Sequence, residues 1–119
     1  MNKRFEGKSV LIVGGNAGIG LAAAEGFAAE GARVAITGRN AESLRAAAER
    51  LGVLTFRADI ADLEASAAAI AGAAEGLGGI DILFLNAGVG GFATVPEVTP
   101  AFWDEVHGVN LRGAFFACQ

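Results

Sequence analysis

Between Ser9 and Glu30 the chain sets a glycine-rich turn between a short apolar run and an alanine-rich stretch, and few folds accommodate that order. Ser9 to Val13 reads SVLIV. It is rich in β-branched residues, as a strand covered on both faces requires. Gly14, Gly18 and Gly20 follow in Gly-x-x-x-Gly-x-Gly spacing. Ile19 to Glu30 reads as a helix, with Glu25 and Glu30 on its polar side, Phe27 on its apolar side and Gly31 closing it.

The same alternation then repeats. Arg33 to Thr37 (RVAIT) is a second strand. Asn40 is a suitable N-cap for a helix running to Leu51, which Gly52 ends. Val53 to Ala58 is a third strand. Asp62 opens an alanine-rich helix reaching about Gly76, with Gly78 and Gly79 breaking it, and Ile80 to Leu85 is a fourth strand. Glycines at 88, 90 and 91 mark a loop. Thr99 and Pro100 form an N-cap with proline in the first helical position, and Phe102, Val106, Val109, Gly113 and Phe116 are expected to form the apolar stripe of the last helix. Strands joined by helical crossovers give an α/β, doubly wound parallel sheet of about four strands. One domain over 1–119 is expected from this pattern and from 119 residues.

Composition narrows the partners. With 53 % hydrophobic and 18 % charged residues, the chain carries enough apolar material for a packed core. A net charge of −4 with no basic run argues against nucleic acid and against an anionic membrane surface. No apolar stretch reaches the roughly 20 residues of a membrane span, and the start lacks the apolar stretch of a signal peptide. One cysteine, Cys118, permits no internal disulfide, so a reduced, cytoplasmic setting is expected.

The chemistry-bearing positions cluster at strand ends. Glycines let the turn after the first strand close sharply and let a pyrophosphate approach the backbone, while the next helix aims its free N–H groups and positive dipole end at it. After the second strand, Gly38 stands where an acid would bind a ribose 2′-hydroxyl, and Arg39 beside it can pair with a 2′-phosphate instead, which favours NADP over NAD. Asp59 after the third strand can accept from an adenine amino group with Ile60 packed on the ring, or it can cap the helix near Asp62. Asn86, Ala87 and Gly88 end the fourth strand on the same edge. Asn86 can brace the neighbouring loop or contact ligand, and the small residues leave room for a ribose. Asn110, inside the last helix beside the apolar stripe, is read as a buried amide that needs partners. His107, the only histidine, has neither triad partners nor metal-ligand spacing and reads as a surface or packing residue.

Taken together these segments resemble the short-chain dehydrogenase/reductase family. Val13 to Gly20 resembles its Thr-Gly-x-x-x-Gly-Ile-Gly signature, Asp59-Ile60 its Asp-Val element, Leu85 to Gly88 its Asn-Asn-Ala-Gly motif, and Val109 to Gly113 the helix segment bearing its catalytic asparagine. The resemblance covers nearly the whole chain. It implies a Rossmann-type fold and an oxidoreductase that interconverts an alcohol and a carbonyl of a small molecule by hydride transfer. It assigns Gly14, Asn16, Ala17, Gly18, Ile19, Gly20, Arg39, Asp59, Ile60, Asn86, Ala87 and Gly88 to binding the cofactor, and Asn110 to a proton relay. The serine, tyrosine and lysine of that relay are implied to lie beyond Gln119, so these residues alone are not expected to be active. Val13 replaces the signature threonine and its hydroxyl. Ala17 stands where some NADP-preferring members carry a basic residue, so NADP preference rests on Arg39. The last helix resembles one often used in subunit contacts, which implies a homo-oligomer. Two other classes are weighed: a non-catalytic nucleotide-binding fragment or module, and a methyltransferase, whose glycine motif is spaced differently. An open edge on the fourth strand and exposed Phe102, Phe115 or Phe116 would make the isolated chain prone to associate.

Overall fold

A computed structural model describes residues 3–119. Strands β1 (Ser9–Val13), β2 (Arg33–Gly38), β3 (Leu54–Arg57) and β4 (Ile82–Leu85) form one parallel sheet in the spatial order β3-β2-β1-β4. Between them run α1 (Gly18–Ala29), α2 (Ala41–Leu51) and α3 (Leu63–Leu77), and after β4 a short 3-10 turn leads to α4 (Pro100–His107).

β1 lies at the centre and every residue in it is buried. Its side chains alternate between two cores, as the period of a strand dictates. Val10 and Ile12 pack with Val34, Ile36, Ala24 and Leu44 under α1 and α2. Leu11 and Val13 pack with Ala35, Ala73, Leu77 and Val109 on the opposite face, under α3 and the last helix. Burying each such aliphatic side chain stabilises by about 1.5–3 kcal/mol at most, and β1 does so on both faces.

The helix ends follow their sequence signals. Asn40 accepts from the Ser43 N–H at 3.0 Å, Asp62 from the Ala65 N–H at 3.1 Å and Thr99 from the Phe102 N–H at 3.1 Å. Arg33 closes the far end of α3, donating to the carbonyls of Leu77 at 2.6 Å and Gly76 at 2.9 Å, where a cation suits the negative dipole end. Some boundaries shift. The third strand spans Leu54–Arg57, not Val53 to Ala58, and α1 begins at Gly18 and ends at Ala29. The fourth strand begins at Ile82, not Ile80; just before it, Asp81 holds Ser9 twice, donating its N–H to the Ser9 carbonyl at 2.8 Å and accepting the Ser9 N–H on its carboxylate at 2.9 Å.

The largest correction concerns the last helix. After His107 it widens into a π-helical turn, Gly108–Gly113, before resuming as α5 (Ala114–Cys118). A wider turn brings the buried face round later in the sequence. The inward residues are therefore Val109, Gly113 and Ala117, while Phe116, expected in the stripe, is 44 % exposed. Phe115 is exposed too, and Phe102 is half-buried. No helix among the described residues is long and apolar enough to cross a membrane.

Candidate functional site

Val13 ends β1 level with Thr37 of β2 and Leu85 of β4. The chain winds to one side of β1 for β2 and β3 and to the other for β4. The crevice above Val13 is thus the point where winding reverses, and such sheets bind ligands there. A cleft of about 750 Å³ opens at this edge, within the roughly 300–1,000 Å³ of small-molecule sites. Gly14, Asn16, Ala17, Arg39, Asp59, Ile60, Asn86, Ala87 and Gly88 all line it. Gly18, Ile19, Gly20 and Asn110 do not; they stand behind or beside it.

The glycine turn is pinned from three sides. The N–H groups of Gly14 and Gly15 both donate to the Thr37 carbonyl at 3.0 Å, and those of Asn86 and Ala87 donate to the Val13 carbonyl at 3.0 and 2.9 Å. The Asn86 side chain donates from Nδ2 to the Gly14 carbonyl at 3.1 Å. Of the two roles open to Asn86, bracing is therefore realised, and it ties down a turn that lacks the signature threonine hydroxyl. Gly14 has φ +83°, and a Cβ there would lie 2.8 Å from the Ala87 backbone. A Cβ on Gly20 would lie 2.1 Å from the Gly14 carbonyl oxygen, so α1 starts directly against the turn. Gly15, which the motif did not single out, is equally constrained, since a Cβ would lie 2.6 Å from Ile36.

α1 opens without a side-chain cap at Ala17 and without an acidic residue in its first turn. Its first N–H groups and its positive dipole end are left for an anion. This is the arrangement that fits a pyrophosphate. Ala17, Gly18 and Ile19 are exposed there.

The other end of the cleft is basic. Arg39 is exposed and forms no ion pair with any described residue. Arg57, which the sequence reading passed over, lines the same cleft and donates from Nε to the Arg39 carbonyl at 2.9 Å. A lone arginine near a strand end carries no pattern, so only the fold brings it to Arg39. Asp59 accepts the Ala61 N–H at 2.9 Å through one carboxylate oxygen, and Asp62, not Asp59, caps α3. Ile60 is 6 % exposed and belongs mainly to the core.

Asn110 corrects an expectation: it is exposed, not buried. Its amide nevertheless has both partners in one residue. Oδ1 accepts the Val89 N–H at 2.8 Å and Nδ2 donates to the Val89 carbonyl at 2.6 Å. Its helix is held close because Gly113 sits on the loop after β3, where a Cβ would meet the Ile60 carbonyl oxygen at 2.6 Å. His107 packs, stacking on Trp103 with centroids 4.1 Å apart. No group of three His, Cys, Asp or Glu among the described residues is placed to hold a metal.

Comparison with known proteins is consistent with this geometry. A family profile described as short chain dehydrogenase matches residues 8–119. The chain belongs to the short-chain dehydrogenase family. The D-threitol dehydrogenase of Mycolicibacterium smegmatis is 39 % identical over 121 residues, covering 98 % of this chain and 46 % of the relative. The gluconate 5-dehydrogenase of Gluconobacter oxydans is 38 % identical over 120 residues, with 97 % and 47 % covered. Among solved structures, a short-chain dehydrogenase/reductase from Serratia marcescens superposes with a TM-score of 0.93 at 36 % identity, covering 97 % of this chain and 49 % of that one. The chain thus spans about half the length of the relatives it matches. The short-chain dehydrogenase assignment agrees with the doubly wound sheet and with a Rossmann-like fold.

Proposed function

We propose that this chain forms the cofactor-binding part of an NADP-dependent oxidoreductase that interconverts an alcohol and a carbonyl on a small molecule. The observation that carries this reading is the pairing of two anion-suited features at one sheet edge: the uncapped start of α1, whose N-cap residue Ala17 lines the cleft, and Arg39, exposed in the same cleft with no ion pair to any described residue. The first takes the pyrophosphate through backbone N–H groups. The second takes the 2′-phosphate through its planar fork, with Arg57 fixing the backbone that carries it. Asp59 keeps one carboxylate oxygen for the adenine amino group, and Ile60 offers a small apolar surface beside it. Ala87 and Gly88 leave space for the nicotinamide ribose. When bound, the nicotinamide supplies or accepts the hydride.

In this proposal Asn110 serves the proton relay as a positioning residue, because its amide holds the Val89 loop beside the cleft. The relatives named for threitol and gluconate favour a small hydroxyl-bearing substrate. Leu111, Phe115 and Phe116, exposed on the last helix, are apolar enough to support association into a homo-oligomer.

The test is Arg39→Asp in the full-length protein. It is expected to turn an NADP preference toward NAD by at least tenfold in kcat/KM, or in Kd where no substrate is in hand. An unchanged NADP/NAD ratio would overturn the assignment of Arg39.

A further inference from the structure

The far end of α1 is held by the residues that lead into β1. Arg4 donates from Nε and Nη2 to the two carboxylate oxygens of Glu30, the residue that ends the helix. The Phe5 N–H donates to the Glu30 carbonyl at 3.1 Å, and the Phe5 ring meets Phe27 edge-on with centroids 4.8 Å apart. Glu6 lies against the turn that follows, where a Cβ on Gly31 would stand 3.1 Å from the Glu6 Cα. Two backbone bonds fold this stretch on itself: the Glu6 N–H donates to the Lys3 carbonyl at 3.2 Å and the Lys8 N–H to the Phe5 carbonyl at 2.9 Å. Lys8 then runs directly into the central strand. α1 has little support of its own. It has no side-chain cap, no acid in its first turn and no base in its last. Gly26 weakens it from within and is not required for space, since nothing lies within 4 Å of a Cβ there. Glu30 sets a negative charge at the negative end of the helix dipole, and Arg4 offsets it.

We infer that Arg4, Phe5 and Glu6 form a strap that strengthens anion binding at the opposite end of α1 by holding the helix from behind. None of the three lines the cleft. α1 spans about 18 Å at the usual helical rise, so the strap acts as a positioning device and touches no ligand. A helix forms cooperatively. Holding its last turn keeps its first N–H groups aligned and its dipole whole. An anion on those N–H groups stabilises the same helix from the front. Strap and anion thus favour one state of one element, and linkage makes the effect reciprocal: the strap strengthens the anion's binding, and the anion tightens the strap. The inference rests on the pyrophosphate reading of the start of α1 and adds the residues that hold the helix for it.

The experiment reads Kd by calorimetry in the full-length protein for NADP⁺, NAD⁺ and adenosine 2′-monophosphate, which has no pyrophosphate. Arg4→Ala combined with Phe5→Ala is expected to weaken both dinucleotides by about fivefold, the lower end of linkage between sites. The NADP/NAD ratio and the affinity for adenosine 2′-monophosphate should stay unchanged, which a general loss of structure would not allow. Arg4→Lys keeps the charge without the planar fork and should weaken the dinucleotides less. Gly26→Ala, added to the strap variant, should recover part of the loss by strengthening the helix itself. A second reading needs no variant: saturating NADP⁺ should slow amide exchange at Phe5, and adenosine 2′-monophosphate should not. The strap is overturned if all three ligands weaken alike, if none weakens, if Gly26→Ala recovers nothing, or if exchange at Phe5 ignores NADP⁺. No saturable binding of either dinucleotide by the unaltered protein overturns the pyrophosphate reading instead, so the two failures are distinguishable.

Discussion

Asn110 holds Val89 by both backbone groups, accepting its N–H at 2.8 Å and donating to its carbonyl at 2.6 Å. One side chain thereby stands in for a strand partner beyond the end of β4. It fixes the loop that leaves the cleft at Ala87 and Gly88, and Gly88 itself lies close, with its Cβ position 3.4 Å from Asn110 Oδ1. Asn110→Leu removes both bonds. Each is worth about 1 kcal/mol net, so a local loss of about 1–2 kcal/mol is expected. Hydrogen exchange at Val89 and its neighbours should accelerate by roughly tenfold or more. Unchanged protection of Val89 would show that the loop is held by something else.

The three signature glycines are not equivalent. At Gly18, φ is +55° and nothing lies within 4 Å of a Cβ. Gly18→Ala should cost only the left-handed backbone penalty, about 1–2 kcal/mol. Gly14→Ala adds collision with Ala87 to that same penalty. Gly20→Ala drives a methyl to 2.1 Å from the Gly14 carbonyl oxygen, so α1 must move off the turn. Overpacking adds about 1–3 kcal/mol or more at these two sites. Thermal unfolding of the three variants should place Gly18→Ala nearest the unaltered protein. A Gly20→Ala variant as stable as Gly18→Ala would contradict the close seating of α1.

The 3-10 turn after β4 carries its own acid sensitivity. Glu97 accepts the N–H and the hydroxyl of Thr94, each at 2.8 Å, and the backbone bond, followed by the side-chain bond, holds its carboxyl below the ordinary carboxylate range. A depressed folded-state value means the bonds stabilise this turn above the unfolded value. That contribution is lost as pH falls through the lower, folded value. Amide exchange at Thr94 should therefore stay slow down through the usual glutamate range and quicken below it. In Glu97→Gln, which can accept without titrating, that pH step should vanish. A step at the same pH in the variant would assign it to another group.

Much of the fold is legible along the chain because its signals are local. β1 reads as a two-faced strand, Asn40 and Asp62 do cap α2 and α3, and the glycine turn sits between strand and helix as its spacing implies. What escaped depends on contacts between elements. The π-helical turn inserts a wider ring that no side-chain pattern announces, so helical spacing points to Phe116 for the buried stripe that Ala117 fills. Asn110 reads as buried because an amide beside an apolar stripe needs partners; it finds them in Val89 at the surface. Arg57 and Ser43 carry no motif, and their meaning comes from β3 and α2 lying against the ends of β2 and the glycine turn. Gly38 reads as a missing acid, and only the fold brings the Asn16 side chain against it.

In the proposed function, the cleft at the reversal point of the sheet takes a nicotinamide dinucleotide phosphate. Backbone amide shifts of the full-length protein, followed by NMR during titration with NADP⁺, test it most directly. Saturable one-to-one binding is expected, with the largest shifts at Gly18, Ile19 and Gly20 for the pyrophosphate and at Arg39 for the 2′-phosphate. NAD⁺ should reproduce the first set and leave Arg39 nearly unmoved. Failure to saturate, or shifts that leave the start of α1 untouched, would contradict it.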